Sequence, residues 1–212
     1  MGILNNGIGG NFIGKSGNMV FYMLNGKNVG RRIGENLNPP TQKQLSCRQQ
    51  IALVAELLNP IKELVKIGYN SVAIAANRHP YVLATSVHKN SAIRGTYPEQ
   101  YLDFSQLQFS TGNLRTAQST SVTYEDDQLL FSWTNRSDMT FAESRDQVML
   151  LAYYPEINIA TYTLYGNERR TGNCELAISP DFESGSIETY MAFISADRKN
   201  VSDSIYTGQF SR

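Results

Sequence analysis

Cysteine and histidine are scarce in this sequence, and each scarcity excludes something. Cys47 and Cys174 are the only cysteines, one in a predicted helix and one in a predicted strand, which reads as two buried, unpaired thiols and not as a disulfide framework. His79 and His88 stand nine residues apart with no cysteine or carboxylate cluster beside them, so no metal site and no cofactor are expected. No window approaches eighteen consecutive apolar residues, and no basic segment leads into an apolar one at the start. Neither a membrane span nor a Sec signal is therefore expected. Met1-Gly2 has the form of a myristoyl acceptor, but Asn6 stands where Ser or Thr is needed.

What the 212 residues do contain is enough to bury a core: 41% are hydrophobic and 18% charged, and 12 Tyr and 9 Phe suit β structure. Net charge is zero, but it is unevenly spread. Residues 1–95 carry eleven Lys and Arg against three acids, a surplus of +8, and residues 96–212 carry eight against sixteen, a balance of −8. The chain is a charge dipole.

Gly9-Gly10-Asn11-Phe12-Ile13-Gly14-Lys15-Ser16 matches the phosphate-binding pattern G-x-x-x-x-G-K-[ST] letter for letter. The chemistry of that loop needs a buried strand before it and a helix starting at the Lys-Ser pair, so that free amides face the phosphates. Here the preceding residues are rich in Asn and Gly, and Gly17-Asn18 leads into an aromatic, β-branched run. The segment reads as a structural glycine arm. Met19–Leu24 and Asn28–Ile33 flank Asn25-Gly26, the strongest short signal for a β-hairpin.

Asn38-Pro39-Pro40 then punctuates the chain, and Thr41-Gln42-Lys43-Gln44 has the form of a capping box that opens a helix near residue 42. Ile51, Val54, Ala55 and Leu58 recur at helical spacing as one buried stripe. Pro60 breaks the helix; Ile61, Leu64, Val65 and Ile67 continue an apolar face to Gly68, and a further helix is expected over about 81–92. After Gly95 the period turns to alternation. The runs DFSQLQFS, STSVTY, QLLFSW, QVMLLAYY, ATYTLY, CELAIS, TYMAFISA and DSIYTGQ predict an antiparallel β-sandwich, with Phe131 and Trp133 facing its core.

No catalytic constellation emerges, and the protein reads as a non-enzyme without a small-molecule substrate. Both histidines lie in the basic half, no nucleophile elbow is present, and Asp126-Asp127 and Glu168 with Arg169-Arg170 read as solvated loop charges. Arg31, Arg32, Lys43, Arg48, Lys62, Lys66, Arg78, Lys89 and Arg94 could neutralise phosphates, and Phe21 and Tyr22 could stack on bases. These charges are spread thinly, however, and the acidic half offers a protein partner for them, so assembly is favoured over nucleic acid.

The spacing of Gly14-Lys15-x-Gly17-Asn18, Asn25-Gly26-Lys27, Arg31 and Asn38-Pro39-x-Thr41-x-x-Gln44-x-x-x-Arg48 resembles a family of uncharacterised proteins common in Bacteroidota genomes, known as a domain of unknown function. The resemblance extends to Ser202–Tyr206, which would close the sandwich. It implies the architecture and no activity, and the layout is similar to that of phage structural proteins. The resulting expectation is an α+β chain with three parts: a glycine-rich arm and β-hairpin (1–40), a helical segment (41–95), and an immunoglobulin/fibronectin-like antiparallel β-sandwich (96–212). Its expected role is that of a structural subunit which binds other copies of itself and other structural proteins, assembling into a ring, tube, filament or particle of a virion or extracellular appendage. The expected assembly contacts are Gly9, Gly10, Gly14, Lys15, Phe21, Tyr22, Arg31 and Arg32. A surface-binding module for a glycan or protein is the second reading, and nucleic-acid binding the third.

Overall fold

The computed structural model describes residues 2–4, 11–35, 37–125 and 127–211, and the chain divides into two compact units, residues 1–41 and 42–212. The first unit is one antiparallel sheet in chain order, β1 (Gly2–Leu4), β2 (Phe12–Ser16), β3 (Met19–Leu24) and β4 (Lys27–Arg32). Asn25 and Gly26 both take positive φ, 49° and 77°, as a type I′ hairpin turn requires. Pairing continues past β4, where the Ile33 amide donates to the Asn18 carbonyl at 2.7 Å. The predicted hairpin is present, and the segment read as an extended arm supplies two further strands to it.

The second unit begins with helices α1 (Gln42–Leu58), α2 (Lys62–Gly68), α3 (Asn70–Ala75) and α4 (Pro80–Ser91), broken at Asn59-Pro60 as expected. A two-stranded pairing of β5 (Ile93–Arg94) with β6 (Tyr101–Leu102) follows. Then come β7 (Gln118–Glu125), β8 (Gln128–Thr134), the short helix α5 (Phe141–Ser144), β9 (Gln147–Tyr154), β10 (Ile159–Thr163), β11 (Asn173–Ala177), β12 (Ser186–Ile194) and β13 (Ile205–Ser211). They form a four-stranded sheet, β10-β9-β12-β13, and a three-stranded sheet, β11-β8-β7, both antiparallel.

Two cores explain why these strands differ in sequence. Between the sheets, Leu129, Phe131 and Trp133 of β8 pack with Val148, Leu150, Ala152, Met191 and Phe193. The opposite face of the four-stranded sheet, with Met149, Leu151, Tyr153, Tyr190 and Ile194, packs with the helix residues Val54, Leu57, Leu58, Leu64, Val65 and Ala84. β9 and β12 are thus covered on both sides, which is why QVMLLAYY is a continuous apolar run, whereas β8 alternates and leaves Leu130 exposed. The change of period at residues 96–101 is a change of element type inside this unit.

Two sequence expectations are corrected. DFSQLQFS is not a strand: the Asp103 carboxylate accepts from the Ser105 amide and hydroxyl at 3.2 and 2.6 Å, turning Phe104–Gln106 into a 3-10 turn. The buried stripe of α1 is Val54, Leu57 and Leu58, and Ile51 is 47% exposed. The face of α1 is set by α4 and the sheet, which a helical spacing alone does not specify.

Candidate functional site

In β2, Gly14 pairs with Gly2 on one side and Phe21 on the other, Lys15 with Val20 and Ser16 with Met19. The Lys-Ser pair of the phosphate-loop pattern therefore sits in a strand that turns at once, through Gly17 at φ 58°, into β3. Among the described residues of this unit there is no helix, so none starts at the Lys-Ser pair.

Cross-strand register assigns the expected contact residues to two faces. Lys15, Val20, Tyr22, Val29 and Arg31 share one face with Ile13, Leu24 and Lys27, and the Arg31 guanidinium lies 6.0 Å from the Tyr22 ring centre. Gly14, Phe21 and Arg32 lie on the other, with Phe12, Met19 and Met23. There Phe12 and Phe21 meet edge to face at 5.1 Å, and a Cβ on Gly30 would stand 2.6 Å from the Phe21 ring, so glycine makes room for the aromatic. Gly9 and Gly10 lie outside the described residues. Among residues 11–35 and 37–41 none is buried, although both faces of β2–β4 carry apolar side chains.

The second unit holds a cluster that the sequence did not signal. Arg169, read as a solvated loop charge, is 4% exposed. Its guanidinium donates to Glu143 at 3.0 Å and to the Arg115 carbonyl at 2.6 Å, lies 3.6 Å from an Asp146 carboxylate oxygen, and stacks 3.8 Å from the Phe193 ring centre. The Trp133 indole donates to the Arg169 carbonyl at 2.8 Å, which joins the cluster to the inter-sheet core. Burial pushes the Asp146 carboxyl up to about 6, against the pull of Arg169. Arg170, its neighbour, is exposed as expected.

Beside this cluster opens a cleft of about 690 Å³, lined in part by Leu114, Phe141, Glu143, Arg145, Asp146 and Asp197. Phe141 stands 76% exposed at its rim. Burial lowers the His88 pKa; its Nδ1 faces the Ala84 carbonyl at 2.7 Å and its Nε2 accepts from the Gln108 amide at 3.2 Å, so the neutral ring fits. His79 caps α4 by accepting from the Tyr81 amide. Both cysteines are free, Cys174 buried and Cys47 only half-buried, with Lys89 donating to its Sγ at 3.2 Å. Among the described residues, no group of three or more His, Cys, Asp or Glu is placed to hold a metal ion, and no helix is long and apolar enough to cross a membrane.

No curated protein and no solved structure matches the chain. One family model does, described as "Family of unknown function (DUF6266)", and it covers residues 6–208, which includes the N-terminal sheet from β2 onward, the helices and the strands of the second unit up to the middle of β13. The chain belongs to the DUF6266 family.

Proposed function

We propose that this protein is a non-enzymatic structural subunit which self-assembles through its N-terminal sheet. One observation carries the reading: β2–β4 present apolar side chains on both faces, yet none of their residues is buried. A stable sheet is covered on at least one face by a second layer, and below about 40 residues a unit usually needs a cross-link, a metal or a partner. A further copy is the simplest source of that layer. The second unit is read as an immunoglobulin/fibronectin-like sandwich, supported by seven antiparallel strands in sheets of three and four, with β8 beside β11 and β9 beside β12 in Greek-key fashion. A ring, tube or filament in a phage virion or phage-like appendage of Bacteroidota is the specific setting that fits such a subunit.

A second reading is a surface-binding module. The cleft beside Arg169, with exposed Phe141 at its rim, favours it. Negative-stain imaging and light scattering of the full chain, alongside a variant lacking residues 1–41, separate the two. The structural reading expects ordered polymers from the full chain and a folded monomer from the truncated one. Monomers from both would overturn it.

A further inference from the structure

The basic face of the N-terminal sheet has a counterpart elsewhere in the same sequence. Three loops meet at one end of the sandwich. The Ile178 amide donates to the Asp127 carbonyl at 3.1 Å, the Ser179 amide to the Tyr154 hydroxyl at 3.0 Å, and the Ser186 amide to Glu156 Oε1 at 3.0 Å. These bonds tie Asp127 to the segments 155–158 and 178–185, and Tyr154 and Phe182 meet beneath them with ring centres 4.6 Å apart. With Glu125 at the end of β7, these segments carry Glu156, Asp181 and Glu183, all four exposed, and not one lysine or arginine. None of these four carboxylates makes an ion pair among the described residues. Exposed Ile157 adds an apolar contact beside them. The opposite end is different: there Arg115, Arg145 and Arg169 are already paired with Asp138, Glu168 and Glu143.

Residues 1–41 hold four lysines and arginines against one glutamate. Lys15, Lys27 and Arg31 lie on one sheet face, around Val20, Tyr22 and Val29, and none has an ion-pair partner among the described residues. Like charge opposes pairing of this face with itself. We infer that it docks on the acidic end of the sandwich of a second copy, so that subunits join head to tail. Such a contact uses two different patches, and it propagates as an open filament or closes as a ring. The inference rests on the self-assembly reading above and adds the partner surface to it.

Charge exchange tests it. One variant carries Lys15→Glu, Lys27→Glu and Arg31→Glu; a second carries Glu125→Lys, Asp181→Lys and Glu183→Lys. Each variant alone then faces like with like, whereas a mixture restores both contacts and forms an alternating polymer. The expected result is at least a tenfold rise in the concentration at which light scattering begins for either variant alone, and recovery on mixing. Wild-type assembly should also weaken steeply between 50 and about 500 mM salt, a measurement that needs no variant to fold. If wild type assembles and either the acidic-end variant assembles equally well or the mixture fails to recover, this interface is wrong while self-assembly stands. If wild type stays monomeric at low salt and high concentration, both readings fall.

Discussion

Phe12 and Phe21 meet edge to face at 5.1 Å in the N-terminal sheet and stay partly exposed, whereas Trp133 and Phe193 meet in the same geometry at 5.5 Å and are 6% and 0% exposed. The local chemistry of the two pairs is alike, with aromatic rings, β strands and a tight turn nearby. What differs is the layer above. In the second unit the four-stranded sheet is covered on both faces, by helices and by a second sheet, while the described residues of the first unit form strands and turns with no second layer among them. Strand pairing can be specified by a few turn residues, but burial has to be supplied by other segments, and among the described residues the second unit contains them.

The sharpest way to break that comparison is to remove an aromatic ring from the covered pair. Phe193→Ala should cost about 3–5 kcal/mol, read by denaturant unfolding, because it opens a cavity between the sheets and strips the ring from Arg169. Arg169→Leu follows, at about 3 kcal/mol, since it leaves the Glu143 and Asp146 carboxylates without their guanidinium.

A smaller effect belongs to Asp146. Its pKa is raised from 3.8 to about 6 in the fold, so its contribution to stability is complete below pH 3.8 and is lost as the pH rises through 6. Asp146→Asn should flatten that decline in melting curves taken from pH 4 to pH 7; an unchanged slope would assign the decline to other groups. The smallest effect is expected from Phe21→Ala. The melting temperature of the second unit should not move, and any loss should appear in assembly alone. A drop comparable to that of Phe193→Ala would erase the contrast between the units.

Elements punctuated by their own residues were legible in the sequence. Asn25-Gly26 set the hairpin, Asn38-Pro39-Pro40 and Pro60 bounded α1, and alternation placed Phe131 and Trp133 inside. Features fixed by distant partners were not. Ile51 fits a helical stripe as well as Leu57 does, and only the packing of α1 on α4 and the sheet decides which one is buried. Arg169 sits in a polar loop whose letters suggest solvent, yet its partners Glu143, Asp146 and Phe193 lie more than twenty residues away on other elements. Of the expected contact set, Lys15, Tyr22 and Arg31 do share a face, while Phe21, Gly14 and Arg32 lie on the reverse, because the side-chain period of a strand is two.

The double coverage of β12 bears on synthesis. Ser186–Ile194 contributes to both cores, so neither can close until this late strand has left the ribosome. Helices α1 to α4 emerge more than ninety residues earlier and present Leu57, Leu58 and Leu64 with no sheet to cover them. The two cores of the second unit therefore close only after β12 has emerged, and until then the apolar face of the helices waits for its sheet.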